Sequence, residues 1–420
     1  MAMRLKKNNK KLKPFDFKAK PMRPWPLMWL IKLLVKIMLI GRKTKYTYVD
    51  GKQPKGPVLV LATHCAFNDF YMLFTALKTY NLNYVITIDA SYDFSTFLVK
   101  LIGGITKRKF STDLNLMKNL KYAINDLKDT VVIYPEARYS LDGTTSYLPE
   151  SLGKLAKFLK VPVYTLNLNG SYVSDPQWNK YKANKMPLEA TLKETVSLEE
   201  LNTLSAEEIF EKIKADFVYD DWAWLKEQGN ILTCPTRAYN LNAILYQCPH
   251  CKAEHQMVGE GTTLTCTKCG KVYEMGENGV LTAKEGETEF SHVPDWFKWQ
   301  RQNVHEEVFN GTYNVDCEVD VFTLPDATAY VPQGKGRLVQ NSEGTTLYVN
   351  LYGEDKVITY TGTQLESVHI EYNYKGDGDF LDFSIPDDSV WVRPVGIKDV
   401  ITKISLATEE IRDLARSKIK

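Results

Sequence analysis

Between residues 55 and 170, short apolar runs alternate with a segment of helical spacing, and this alternation restricts the fold more than any other feature. The apolar runs are strand-like and cover residues 57–63, 83–89, 130–136 and 161–170. Residues 112–127 place apolar side chains on one face of a helix. Strands separated by helices predict an α/β domain with a mostly parallel sheet.

A histidine follows the first of these strands directly, and an aspartate comes five residues later. His64 is therefore expected at the carboxyl edge of the sheet, where α/β domains form their sites. Asp69 can fix the imidazole tautomer and stabilise the imidazolium that forms on proton abstraction. No GxSxG motif supplies a nucleophile, so the pair predicts a general base that acts on a substrate hydroxyl. A structural histidine with a helix-capping aspartate is the alternative.

Two further loops carry charged residues beside glycine or after a strand. Residues 103–109 read GGITKRK, and residues 135–140 read PEARYS after the third strand. Cations on such loops suit a phosphate group. Ordinary solvated loop charges are the alternative. Together the two loops give the predicted substrate-binding residues, which are Lys107, Arg108, Glu136 and Arg138.

In order and spacing, these motifs resemble the glycerophospholipid acyltransferase family, typified by 1-acylglycerol-3-phosphate acyltransferases, over about residues 30–225. The resemblance implies that His64 is the general base and Asp69 its orienting partner. It also implies that Arg108, or Lys109 in its place, contacts the phosphate of the acceptor. Acyl-CoA or acyl-carrier protein is the implied acyl donor.

The third and fourth blocks of the family follow in the expected order. Pro135 and Glu136 match the third block, and residues 161–163 match the fourth, a strand that lines the acyl pocket. The third block usually reads Pro-Glu-Gly-Thr-Arg-Ser. Here Arg138 occupies the threonine position and Tyr139 the arginine position, so acyl transfer is better supported than any particular acceptor.

The N-terminal segment is basic and then apolar. Residues 1–45 contain fourteen Lys or Arg and one acid, although the whole chain has a formal net charge of only +2. Residues 25–40 read WPLMWLIKLLVKIMLI, which is short of the roughly 20 residues that span a bilayer. With Lys32 and Lys36 on one face, this segment predicts an amphipathic helix at an anionic membrane surface. A core helix whose lysines reach solvent is the alternative, and no signal peptide is evident.

Four of the seven cysteines form two CxxC pairs separated by fourteen residues. Four thiolates with this spacing predict a closed, structural Zn²⁺ site in a unit that resembles a zinc ribbon. The expected ligands are Cys248, Cys251, Cys266 and Cys269. The unit has no basic stripe, so no nucleic acid is expected as a partner.

The pattern changes again in the last quarter of the chain. Short alternating strands fill residues 315–395, and a helix is expected over residues 397–418. This order predicts a small α+β module that loosely resembles the pleckstrin-homology-like superfold. The predicted divisions are a flexible basic arm (1–24), the interface helix (25–45), the acyltransferase domain (46–240), the zinc ribbon (241–285), a helical linker (286–312) and the C-terminal module (313–420).

These features together predict a membrane-associated O-acyltransferase with structural zinc. It would act peripherally or monotopically at the cytoplasmic face of a membrane on a lysolipid or glycerol-phosphate-like acceptor, with acyl-carrier protein as a possible partner. A non-catalytic lipid-binding scaffold is the first alternative, in which the ribbon and the C-terminal module recruit partners. A nucleic-acid-binding ribbon protein is the second, and the tryptophan-containing apolar helix argues against it.

Overall fold

The structure is a computed structural model that describes residues 3–6, 13–24, 27–51, 53–90, 96–110, 114–179 and 185–418. Trp25 of the predicted interface helix, part of the predicted basic arm and the expected helix start at Thr112 lie outside the described residues. None of the described helices is long and apolar enough to cross a bilayer.

The first part of the chain forms one sheet and the helices around it. The strands are β1 (Thr44–Tyr48), β2 (Leu59–Ala62), β3 (Leu82–Thr87), β4 (Gly104–Lys107), β5 (Thr130–Ile133), β6 (Val163–Asn169) and β7 (Leu188–Val196). The helices are α1 (Leu27–Met38), α2 (Asn68–Ala76), α3 (Thr96–Leu101), α4 (Leu114–Asn125), α5 (Ser151–Leu159), α6 (Ser171–Ser174), α7 (Leu198–Thr203), α8 (Ala206–Asp216) and α9 (Asp221–Glu227).

The sheet has the order β1-β7-β6-β2-β5-β3-β4. All neighbouring strands run parallel except β6 and β7, so the predicted mostly parallel α/β sheet is confirmed. All four residues of β2 are buried, as expected for a central strand covered on both faces. The strands β2, β3, β4 and β5 end at the same edge, which brings the residues that follow them together.

Helices α7 and α8 begin where the sequence places their capping boxes. The Ser197 and Ser205 side chains accept hydrogen bonds from the Glu200 and Glu208 amides, and each glutamate side chain accepts from the serine amide in return. These reciprocal bonds satisfy amide groups that the first turn of a helix leaves without partners.

Helix α1 packs one face on α2 and leaves the other exposed. Met28, Val35 and Leu39 are buried, whereas Lys36 is exposed. Lys32 differs from the expectation that it reaches the headgroup level, because its ammonium is buried and donates to the Leu77 carbonyl at the end of α2. Burial and, to a smaller extent, the charge of the neighbouring Lys36 lower the pKa of Lys32 to about 8.

The described residues of the N-terminal arm lie against the rest of the protein. Leu5 forms a bridge with Tyr330, and the Phe15 amide donates to the Pro325 carbonyl. Arg23 pairs with Asp129 at 3.1 Å. Residues 3–6 and 13–24 therefore differ from the free, flexible arm that their composition predicts.

The cysteine-rich unit is a small antiparallel sheet followed by a long helix. Its strands are β8 (Met257–Glu260), β9 (Thr263–Cys266), β10 (Val272–Met275) and β11 (Leu281–Ala283), in the order β11-β10-β9-β8. The expected linker helix is α10 (Val293–Phe309).

The C-terminal module has strands followed by one helix, in the predicted order. The strands are β12 (Asn314–Thr323), β13 (Val331–Asn341), β14 (Gly344–Leu351), β15 (Glu354–Thr361), β16 (His369–Glu371), β17 (Phe380–Ile385) and β18 (Asp388–Pro394), and the helix is α11 (Val400–Ser417). The order is β15-β14-β13-β12-β18-β17-β16, antiparallel at each pairing. The pleckstrin-homology-like resemblance stays a prediction.

Helix α11 is buried on all sides from Val400 to Arg412. Thr402 donates to the Ala243 carbonyl before the cysteine-rich unit. Lys403 pairs with Glu254 at 2.7 Å and with Glu307 of α10 at 2.8 Å. The helix therefore joins the module to the cysteine-rich unit and to α10.

Candidate active site

His64 and Asp69 meet at the carboxyl edge of the sheet. His64 lies two residues beyond the end of β2, and its Nδ1 is 3.3 Å from Asp69 Oδ2. The histidine side chain is partly exposed, whereas Asp69 is fully buried in the first turn of α2. The contact is at ion-pair distance but is not aligned as a hydrogen bond, and such contacts often tighten when substrate binds.

Asp69 is held in place by the loop that carries the histidine. Its Oδ2 accepts hydrogen bonds from the Cys65 and Ala66 amides, the latter at 2.9 Å. The carboxylate is therefore fixed before any substrate arrives. Cys65 is itself fully buried, and burial raises the pKa of its thiol well above the usual value, so it is not a thiolate nucleophile.

Two tyrosines enclose the imidazole of His64. The Tyr134 ring stacks on it with centroids 4.0 Å apart, and the Tyr139 ring lies tilted at 4.4 Å. Tyr139 occupies the position at which the third block of the family has arginine. This position therefore places an aromatic ring, and no cation, beside His64. No motif in the sequence predicts a role for either tyrosine.

Glu136 supports the histidine from the backbone side. Its Oε2 accepts from the His64 amide at 3.1 Å, and its Oε1 accepts from the Ser146 amide at 2.7 Å and the Tyr219 hydroxyl at 2.9 Å. Burial raises the pKa of Glu136 to about 7. Glu136 lines the cavity, and its described contacts fix the His64 loop. Its role in substrate binding stays a prediction.

A cavity of about 940 Å³ opens beside the histidine, within the range of ligand pockets. One part is apolar and lies between α4 and α5, where Leu116, Met117, Leu120, Leu152, Leu155 and Phe158 line it. Another part is polar and includes residues of the C-terminal module. The cavity beside His64 is therefore lined by both apolar and polar side chains.

The basic residues of the two predicted loops are Lys107, Arg108, Lys109 and Arg138. Some of them line the cavity, and others are bound by the C-terminal module. Lys107 and Lys109 line the cavity. Arg108 is buried against the C-terminal module, where its guanidinium donates to the Asp387 carbonyl at 3.0 Å. Successive residues at a strand end point to opposite sides, so Lys109, the alternative to Arg108, lies on the cavity side with Lys107. Contact of either residue with an acceptor phosphate stays a prediction.

Arg138 touches the cavity, but its guanidinium is engaged by the C-terminal module. It donates to the Ser367 and Ser405 hydroxyls at 2.8 and 2.9 Å and pairs with Glu409 at 2.6 Å. The side chain is only 5% exposed. Its role in substrate binding stays a prediction, and the contacts described here are structural.

Comparison with known proteins agrees with this geometry. The family model described as Acyltransferase matches residues 43–169. These residues are therefore similar to an acyltransferase domain. The match includes the strands that carry His64, Lys107 and Glu136, and it confirms the resemblance inferred from the sequence motifs.

One solved structure similar to the chain is the crystal structure of the 1-acyl-sn-glycerophosphate (LPA) acyltransferase, PlsC, from Thermotoga maritima. The two share 15% sequence identity with a TM-score of 0.34, over 46% of this chain and 78% of that chain. No curated protein sequence matches the chain.

Beyond the acyltransferase domain, the four predicted cysteine ligands come together. Their sulfur atoms all lie within 4.8 Å of one another, with Cys248 and Cys269 3.8 Å apart and Cys251 and Cys266 3.7 Å apart. A tetrahedron with metal–sulfur bonds of about 2.3 Å has edges of about 3.8 Å. The four thiols therefore fit Zn²⁺ and leave no coordination position open.

Metal analysis of the purified full chain is expected to find one equivalent of zinc. Replacing Cys266 by serine should remove it, since a structural zinc site needs all four ligands. Cys234→Ser is the matched control, because this cysteine lies outside the cluster, and it should keep the zinc. Full zinc content in the Cys266→Ser variant would contradict the site.

Buried ionisable groups make the stability of the protein depend on pH. Burial raises the pKa of Glu136, Asp221 and Asp382 to about 7 each. The folded state then binds more protons than the unfolded state between about pH 4 and 7, so these groups stabilise the protein at low pH and lose that contribution as pH rises. Burial lowers the pKa of His255 and His369. These two residues therefore stabilise the protein at higher pH and lose that contribution as the pH falls.

The Asp382→Asn variant isolates the contribution of one buried carboxyl group to the pH dependence of stability. Relative to the variant, the wild-type free energy of unfolding should fall by about 1–3 kcal/mol between pH 5 and 8, because only the wild type must ionise a buried carboxyl. Denaturant unfolding of both proteins at several pH values measures the difference. A difference that does not change with pH would contradict the assignment.

Proposed function

We propose that the protein is a membrane-associated acyltransferase that moves a fatty acyl group from acyl-CoA or acyl-carrier protein to a hydroxyl of a lysophospholipid or glycerol-phosphate-like acceptor. The observation that carries this proposal is the contact between His64 and the buried Asp69 at a cavity with an apolar part and a polar part. Both residues lie in the segment that matches the acyltransferase family model.

In the proposed reaction, His64 removes the proton of the acceptor hydroxyl as the oxygen attacks the thioester carbonyl. Asp69 orients the imidazole and stabilises the imidazolium. A carbon–oxygen bond forms, and the tetrahedral intermediate then expels the thiolate. The imidazolium returns the proton to the leaving sulfur, so an ester and a free thiol are released and the enzyme is unchanged.

The exposed face of α1 supports membrane association. Its apolar side chains turn away from the protein, and seven of them from Trp29 to Ile40 are between 41% and 75% exposed: Trp29, Leu30, Leu33, Leu34, Ile37, Met38 and Ile40. A continuous apolar helix face next to basic residues suits the interface of an anionic bilayer. We place the protein peripherally or monotopically on the cytoplasmic face.

Replacing both Leu34 and Ile37 by glutamate should weaken binding to anionic phospholipid vesicles at least 10-fold. Each apolar side chain contributes about 1.5–3 kcal/mol when it is removed from water. Vesicle co-sedimentation measures the change. Val357→Glu, at a similarly exposed apolar position on β15, is the control and should bind like the wild type. Equal binding of all three proteins would contradict docking through α1.

The test of the proposed function is transfer of a labelled acyl group from acyl-CoA and from acyl-carrier protein to a panel of lysolipids and glycerol 3-phosphate. We expect transfer to at least one acceptor by the wild-type chain and its loss in His64→Ala. If a folded, zinc-containing and vesicle-binding preparation transfers to none of them, the protein is instead a lipid-binding scaffold.

A further inference from the structure

A second group of polar side chains lines the cavity beside His64. Asp89, which follows β3, meets His369 and Glu371 of β16 in the C-terminal module, and their ligand atoms lie within 4.8 Å of one another. All three residues line the cavity that contains His64. This wall is therefore built by two parts of the chain that are far apart in sequence.

The hydrogen bonds of this group determine which atoms remain available. His369 Nε2 lies 3.0 Å from Glu371 Oε1, and a carboxylate can only accept, so Nε2 carries the proton of the neutral ring. Burial lowers the pKa of His369, and the nearby Lys109 lowers it further, which keeps the ring neutral. His369 Nδ1 is then an acceptor.

Two buried acceptors in this group have no hydrogen-bond partner among the described residues. They are His369 Nδ1 and Asp89 Oδ1, in side chains that are 3% and 10% exposed. A buried acceptor without a donor costs about 1–3 kcal/mol. Both residues line the cavity, so a ligand that donates hydrogen bonds can supply what the protein does not.

The positive charges near Asp89 limit which kind of hydrogen-bond donor can bind there. The Lys109 ammonium lies 2.7 Å from Asp89 Oδ2, and Lys107 lines the same cavity. A metal ion or a second ammonium group at Asp89 would be repelled by these cations. Two neutral hydroxyls, one for each acceptor, can donate to them without that repulsion. The two lysines suit a phosphate beside them.

We propose that Asp89 and His369 form a subsite for a hydroxyl-bearing headgroup, so that the acceptor is a lysophospholipid whose phosphate carries a polyol. The inference rests on the proposed function for its acyl-transfer step, but the subsite is defined by its own contacts. Glu371 is a positioning residue here, since it fixes the tautomer of His369.

The first experiment is direct binding, which needs no acyl transfer. Calorimetry compares glycerophosphoinositol with glycerol 3-phosphate on the zinc-containing full chain. We expect the polyol ligand to bind more tightly. In His369→Phe, which loses the acceptor, this preference should fall about 3- to 10-fold, the effect of one neutral hydrogen bond. His369→Asn, which keeps an acceptor near the Nδ1 position, should retain part of it.

The second experiment repeats the comparison as catalysis, with lysophosphatidylinositol and lysophosphatidic acid as acceptors. His369→Phe should raise KM for the polyol acceptor about 3- to 10-fold more than it raises KM for lysophosphatidic acid, since only the polyol donates to Nδ1. His250→Phe, at an exposed histidine that does not line the cavity, is the control.

The outcomes separate the two proposals. If the binding preference depends on His369 but no acceptor is acylated, the subsite stands and the proposed function fails. If acyl transfer occurs with no polyol preference, or with one that His369→Phe does not change, the subsite is overturned and the proposed function stands. A second equivalent of bound metal that His369→Phe removes would also overturn it, in favour of a metal site.

Discussion

Replacement of His64 by alanine is expected to lower the rate of acyl transfer by about 10²- to 10⁴-fold, the usual contribution of a general base. The imidazole is the partly exposed member of the His64–Asp69 pair at the cavity, whereas Asp69 is fully buried behind it. Without the ring, the acceptor hydroxyl must be deprotonated by water. The measurement is steady-state transfer with a saturating thioester donor.

Two comparisons make this result specific. Asp69→Asn should also lower kcat, because the amide can no longer stabilise the imidazolium, while His250→Ala at an exposed histidine should behave like the wild type. The thermal midpoint of His64→Ala should stay close to that of the wild type, since the ring is partly exposed. Full activity of a correctly folded His64→Ala protein would exclude His64 as the base.

Replacement of Glu409 by alanine is expected to destabilise the protein by about 3–5 kcal/mol, the cost of leaving buried charges without their partner. Glu409 is fully buried and pairs with Arg138 at 2.6 Å and with Arg301 at 2.7 Å. Burial opposes its ionisation, but Arg138 and Arg301 outweigh burial and lower the pKa of Glu409 to about 2. Denaturant unfolding at pH 7 measures the loss.

The effect of Glu409 should depend on pH with a defined sign. A depressed pKa in the folded state gives stability that is present above the unfolded pKa of about 4.5 and disappears as the pH falls toward 2. The difference between wild type and variant should therefore shrink in acid. Asp316→Ala removes an exposed partner of Arg337 instead and should leave stability close to wild type, and an equal loss in both variants would contradict the role of burial.

The features that the sequence predicts well are local. The strand before His64 is uniformly apolar because it is central in the sheet, and the capping boxes of α7 and α8 depend on residues three apart. His64 and Asp69 are close in space because one loop and the first turn of α2 carry both. Short-range signals of this kind are readable without knowing the tertiary structure.

The features that the sequence does not predict depend on distant partners. Arg108 and Arg138 lie in loops that resemble family motifs, yet their guanidinium groups are held by residues more than 200 positions later. Lys32 matches an amphipathic pattern, but the carbonyl that binds it is at the end of α2. Tyr219 reaches Glu136 across 83 positions. Neither spacing nor composition contains these pairings.

Because the cavity wall is built from segments that are far apart in sequence, its two parts are synthesised at different times. His64 emerges from the ribosome about 300 residues before His369, which at typical translation rates is roughly 15 to 60 s. During that interval the cations of Arg108 and Arg138 remain hydrated, because Asp387 and Glu409 do not yet exist. Contacts between residues so far apart in sequence form slowly during folding. We therefore expect the protein to become catalytically competent late in folding.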